Sequence, residues 1–133
     1  MRIAELAANA DVKVSTVRFY ERRGVLETPV RSHNGYRDYD EHALTRLRFL
    51  RRGQELGFTL SELSDFVAMS ADARTGAAPP EAVHLAAAEK LLEIDGRIRD
   101  LERTRLAITG LLTDPCIDPA VECPIIAALA GEH

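Results

Sequence analysis

The sequence has no tryptophan, few aromatic residues and only two cysteines in 133 positions. So few cysteines cannot staple a small secreted scaffold, which would need several bridges. No apolar run approaches the roughly 18 to 20 residues that cross a bilayer. The opening "MRIAELAANA" has no apolar leader core and no export cleavage pattern, so a mature cytoplasmic protein is expected. In that compartment thiols stay reduced, and two of them are available for metal or redox chemistry. There is no internal repeat, no Ser/His/Asp set, no phosphate-binding loop and no pair of acids in an evident cleft. The chain is not expected to be an enzyme.

The net charge of −4 hides an asymmetry. Residues 1–57 carry 11 Lys/Arg against 8 Asp/Glu, whereas residues 58–133 carry 6 against 13. The front is therefore +3 and the rest −7. Arg18, Arg22, Arg23, Arg31 and Arg37 lie close together, followed by Arg46, Arg48, Arg51 and Arg52. A basic front on an acidic body is the footprint of a DNA-binding head.

The chain reads as mainly α. Ile3, Leu6 and Ala7 share one face of a short helix over about 2–9. Ser15 is a candidate N-cap for a second helix, 15–23, which Gly24 stops. Two short helices and a tight turn make a helix-turn-helix. Pro29 and Asn34-Gly35, followed by Tyr36 and Tyr39, predict a hairpin, that is, a wing. Asp40 caps a third helix over 41–55, with Leu44, Leu47 and Leu50 on its apolar side. Thr59 or Ser61 starts a fourth that reaches about Met69. The expected organisation is a winged head over 1–70, a small-residue linker over 71–79, a long helix over 80–112 and a terminal loop with a short helix over 113–133.

The long helix carries an apolar seam at Ala87, Leu91, Ile94, Ile98, Leu101, Ile108 and Leu112, with Arg105 at one seam position. The steps alternate between three and four, a heptad pattern. Nothing else in the chain is large enough to cover it, so a second copy of the same helix is the expected cover. The alternative is a long helix folded back on its own head.

The segment "DPCIDPAVECPII" holds both cysteines, Cys116 and Cys123, six residues apart. Pro115, Pro119 and Pro124 stiffen it and lower the entropy lost on closing round an ion. Two thiolates without further good ligands favour soft, low-coordinate ions: Cu(I), Ag(I), Au(I) or Hg(II). Zinc ordinarily takes four ligands. Asp114, Asp118 and Glu122 suit harder ions. An inert buried pair or a redox switch is the competing reading.

In the head, Lys13, Ser15, Thr16 and Arg18 lie near the start of the second helix, where a recognition helix meets bases and phosphates. Arg31 belongs to the same basic cluster. Tyr20, Tyr36, Arg37 and Tyr39 supply further donors and are read as DNA-binding residues, with a partly core role as the alternative for Tyr20 and Tyr39. Phe19 reads as core. Arg46, Arg48 and Arg51 read as a solvated face.

The order "VSTVRFYERRGVL", "NGYRDYD", "LGFTLSEL", long helix and cysteine loop resembles the MerR family of transcriptional regulators across essentially the whole chain. Among its thiol-based metal sensors, the copper-responsive CueR type is closest in layout. The resemblance implies a winged helix-turn-helix head, an antiparallel coiled-coil dimer and a metal-binding loop. It implies DNA contacts from Arg18, Tyr20, Tyr36 and Arg37. It also implies promoter DNA, a second copy of the chain and RNA polymerase as partners, with no membrane. Metal in the loop would shift "PIIAALA" and realign the promoter elements. In sensors of divalent ions a further cysteine stands where Pro80 stands here, which favours Cu(I). Six residues between cysteines instead occur in relatives that sense Cd(II) or Pb(II), and His84, one turn beyond Pro80, is then a candidate third ligand. A cytoplasmic metal-buffering or handoff protein is the reading from another class, and it has no use for a basic head.

Overall fold

The computed structural model describes residues 1–113 and 122–131. Six helices follow in order: α1 (Ile3–Asn9), α2 (Val14–Arg22), α3 (Glu41–Glu55), α4 (Leu60–Thr75), α5 (Pro80–Thr113) and α6 (Pro124–Leu129). Two compact units form, Met1–Arg74 and Thr75–His133. No helix among the described residues is long and apolar enough to cross a membrane.

The first unit is organised by how its helices stop. α1, α2 and α3 each end with a residue in the left-handed region. In each, two backbone bonds reach back over the last turn, such as Val25 N to Tyr20 O at 3.1 Å and Phe58 N to Gly53 O at 3.0 Å. This is the Schellman arrangement, and it turns the chain sharply while satisfying the end carbonyls. Gly24 and Gly57 supply the positive φ after α2 and α3. Asp11 supplies it after α1, where a short polar side chain is tolerated.

The starts are less uniform. Asp40 caps α3 as expected, its carboxylate accepting from Ala43 N at 2.9 Å. Thr59 and Glu62 form a reciprocal capping box at the head of α4, with bonds of 3.0 and 3.1 Å. The expectation for Ser15 does not hold. α2 begins at Val14 with Lys13 in the cap position and no side-chain bond there, so Ser15 lies in the first turn. The turn at Asp11 delivers the chain to the helix one residue early. α4 also runs past Met69 to Thr75, because Ala71, Asp72, Ala73 and Arg74 include no breaker before Gly76, whose φ is +70°.

Inside the head, Leu6, Val17, Leu47, Leu50 and Leu63 are fully buried, with Ala7, Ala10, Leu26 and Leu44 around them. At a stabilisation of about 1.5–3 kcal/mol per large aliphatic side chain, these residues carry the fold. The core needs Gly53: a Cβ there would collide with the side chain of Leu63, so α3 and α4 approach only because position 53 has none.

The wing differs from the expected hairpin. Among the described residues it has no strand, only one antiparallel bridge between Arg31 and Arg37. The turn is Ser32 to Gly35, with Gly35 N donating to Ser32 O at 2.9 Å. The Ser32 hydroxyl donates to Tyr36 O at 2.8 Å and also meets the Asn34 side chain. Pro29 removes one backbone donor from the incoming arm, which limits how far a ladder can extend.

In the second unit, α5 is 34 residues long, about 50 Å at 1.5 Å per residue. None of its residues is buried. α6 packs on α5, with Ile125, Ala127 and Ala128 half-buried. A small hollow between Arg97, Asp100, Leu101, Thr104 and the stretch Ala128–Gly131 marks where the end of α6 lies. Leu91, Ile98, Leu101, Ile108 and Leu112, five members of the predicted seam, remain exposed.

Candidate nucleic-acid interface and metal loop

One face of the head gathers cations from three parts of the chain. An open groove is lined by Arg2 before α1, Arg18 and Arg22 on α2, and Arg31, Tyr36 and Arg37 on the wing. Five arginines line it against one acid, Glu21. Among the described residues, Arg2, Arg18, Arg22 and Arg37 form no salt bridge. Their guanidinium donors are free for an external acceptor, and the planar fork suits phosphate. Lys13 and Ser15 are exposed at the start of α2 and Thr16 is half-buried there, outside this groove.

The arginines of α3 behave differently. Arg48 donates to Asn9 O at 3.2 Å, and Arg51 pairs with Asp11 at 3.5 Å and Glu55 at 3.0 Å. They lie on a solvated face, as expected, and from it reach the α1–α2 turn.

The two ambiguous tyrosines are core residues. Tyr20 is 4% exposed and Tyr39 is 2% exposed. Tyr20 donates its hydroxyl to Gln54 Oε1 at 2.6 Å, tying α2 to α3. Tyr39 donates to Glu21 Oε2 at 2.8 Å, tying the return arm of the wing to α2. Burial pushes the Tyr39 phenol up to about 12, and the bond to Glu21 adds to the shift. Burial also raises the Tyr20 phenol. Both hydroxyls are occupied within the protein, so these two residues are buried struts rather than the exposed donors expected of them. Tyr36, by contrast, is 54% exposed at the wing tip. Phe19, expected inside, is 40% exposed, because Val17 and Tyr20 take the inner face of the helix.

Arg2 was not signalled by the sequence. Its guanidinium carbon sits 3.9 Å from the Tyr36 ring centroid. No local pattern predicts this, because it depends on Met1 pairing with Tyr39, whose backbone N donates to Met1 O at 2.6 Å.

The metal loop is described in part. Cys116, with Asp114, Pro115, Asp118 and Pro119, lies outside the described residues. Cys123 is a free, half-buried thiol immediately before α6, and its side chain caps nothing. Its carbonyl accepts from Ile126 N at 2.9 Å and Ala127 N at 3.2 Å, which fixes the residue to the helix. His84 is exposed near the start of α5. Among the described residues no cluster of three or more His, Cys, Asp and Glu suits a metal ion. Cys123 contributes a thiol, a donor type that suits soft ions.

Residues 1–70 match the MerR HTH family regulatory protein model, and residues 44–111 match the MerR DNA-binding model. The chain is 33% identical over 131 residues to the HTH-type transcriptional regulator CueR of Yersinia pestis, covering 98% of this chain and 92% of that protein. It is 35% identical over 130 residues to the mercuric resistance operon regulatory protein of Bacillus cereus, covering 96% of each. Among solved structures it resembles the transcription regulator PbrR691 from Ralstonia metallidurans CH34 in complex with lead(II). That match has a TM-score of 0.56 and 31% identity over 97% of this chain and 98% of the other.

Proposed function

The chain belongs to the MerR family of DNA-binding transcription regulators, which are not enzymes, and from that premise we propose that it is a homodimeric activator switched by a soft thiophilic metal ion, Cu(I) first. The observation that carries the metal assignment is the sulfur pair. Cys116 and Cys123 are the only cysteines, and Cys123 presents a half-buried thiol at the head of a helix that packs on α5. An ion held by both sulfurs pulls on the start of α6. Ile125, on its half-buried side, and Ile126 and Leu129, on its exposed side, are the packing surfaces that such a pull rearranges.

The heads bind promoter DNA, with Lys13, Ser15 and Thr16 at the base edges and Arg18, Arg31, Tyr36 and Arg37 on the backbone. Tyr20 and Tyr39 hold these groups in register. Metal then changes how the paired heads deform the duplex, so that RNA polymerase can engage the promoter. Bending a 20–30 bp site by tens of degrees costs about 1–6 kcal/mol. Couplings of about 1–3 kcal/mol per ion, summed over two loops, reach that range. Similarity to the CueR regulators supports Cu(I).

A second reading is a divalent ion, Cd(II), Pb(II) or Hg(II), with His84 as third ligand. The six-residue cysteine spacing favours it, as does the likeness to the lead complex. Transcription from the operator-promoter fragment, measured with wild type, Cys116→Ser and His84→Ala, separates the readings. Under the Cu(I) reading, copper or silver activates wild type and His84→Ala but not Cys116→Ser. Full activation of the serine variant by copper removes the loop from the mechanism. Loss of the divalent response alone in His84→Ala selects the second reading.

A further inference from the structure

Arg2 stands outside both the recognition helix and the wing, yet the fold delivers its side chain to the wing tip. The backbone is pinned on either side of it. Met1 pairs with Tyr39, N to O at 2.8 Å and O to N at 2.6 Å. Arg2 O accepts from Leu6 N at 2.9 Å as the first bond of α1. The guanidinium then lies over the Tyr36 ring at 3.9 Å. A cation over an aromatic face at this distance is attracted by the ring quadrupole. The side chain makes no cap bond to α1 and, among the described residues, no hydrogen bond or ion pair. Its N–H donors therefore face the groove that Arg18 and Arg37 also line.

The wing needs such a support. Ser32 holds the Tyr36 backbone, its N–H and hydroxyl donating to Tyr36 O at 2.7 and 2.8 Å, but among the described residues it is Arg2 that meets the ring. We infer that Arg2 is a further DNA-backbone residue of this protein, donating to a phosphate at the wing edge while its stack positions Tyr36 for its own contact. The inference rests on the reading of this groove as the DNA interface.

The test is operator affinity of the full-length protein across a salt series. Arg2→Ala is expected to weaken binding about tenfold for each bound head at fixed salt, as loss of one charge-assisted contact per head does. The slope of log affinity against log salt falls by about one for each bound head. Arg2→Lys keeps the charge and the slope but loses the planar stack, so affinity falls about threefold. In a Tyr36→Leu background, where the stack is already lost, Arg2→Ala costs less than it does in wild type, while the salt slope still falls. Thermal unfolding of Arg2→Ala stays at the wild-type midpoint. Unchanged affinity and slope in Arg2→Ala, with Arg18→Ala weakening binding, overturns the role of Arg2 and leaves the groove intact. Unchanged binding in Arg2→Ala, Arg18→Ala and Arg37→Ala alike overturns the groove as well.

Discussion

The two units of this chain solve the problem of burial in opposite ways. Met1–Arg74 places eleven side chains in a shared interior, and every buried hydrophobic residue described belongs to it. The second unit has the longest helix, with no buried residue in α5 or α6 and five leucines and isoleucines of one seam in water. An exposed apolar seam of that length marks a surface awaiting a partner. The head buries its apolar residues within itself, whereas the long helix leaves its seam exposed. A second copy supplies the other half in the proposal above.

The contrast can be broken most severely at the seam. Leu101→Glu puts a charge on the proposed dimer interface. Operator affinity should fall by about 100-fold or more as the two heads lose their linkage, while the circular dichroism of the head is retained. A gel shift at fixed salt measures the loss, and an unchanged affinity would mean that the seam is not where copies meet.

The matching substitution in the head is Leu47→Ala, at a fully buried position. It should cost about 2–5 kcal/mol of unfolding free energy through lost burial and a residual cavity. Urea denaturation followed at several protein concentrations gives the figure. The midpoint of the head transition should not depend on concentration, whereas that of α5 should.

Gly53→Ala tests the closeness of α3 and α4. Leu63, 1% exposed, has little room to yield to the new methyl group. A loss of about 1–3 kcal/mol is expected, as for other overpacked cores. A neutral or stabilising result would show that Leu63 can repack.

The smallest effect is in pH. The Tyr39 phenol titrates near 12 in the folded head, above its ordinary 10.0. Folding therefore holds the proton, and this contribution is complete below pH 10 and lost as pH rises towards 12. Tyr39→Phe should flatten the decline in stability over that window. An unchanged profile would mean that Tyr39 is not buried against α2 in solution.

What was legible in the sequence was mostly local. Asp40 and the 44, 47, 50 spacing defined α3 to the residue, and Pro80 with the heptad seam defined α5 to within one. Local signals misled where a turn overrode them. Asp11 in the left-handed region moved the start of α2 and displaced Ser15 from its cap. The wing's turn residues were plain, but the length of its ladder depends on donors such as the one Pro29 lacks. The roles of Tyr20 and Tyr39 were open because their acceptors, Gln54 and Glu21, lie 34 and 18 residues away. Arg2 was invisible for the same reason, since it reaches Tyr36 through a pairing between residues 1 and 39. The cysteine pair was legible as chemistry, yet Cys116 falls outside the described residues.

The claim on which the account turns is that the second unit is completed by another copy of itself. Sedimentation equilibrium of the reduced full-length chain over a range of concentrations tests it most directly. The account predicts a species of twice 14.7 kDa at micromolar concentration, shifted towards the single-chain mass by Leu101→Glu. A wild-type chain that sediments at 14.7 kDa throughout would contradict it.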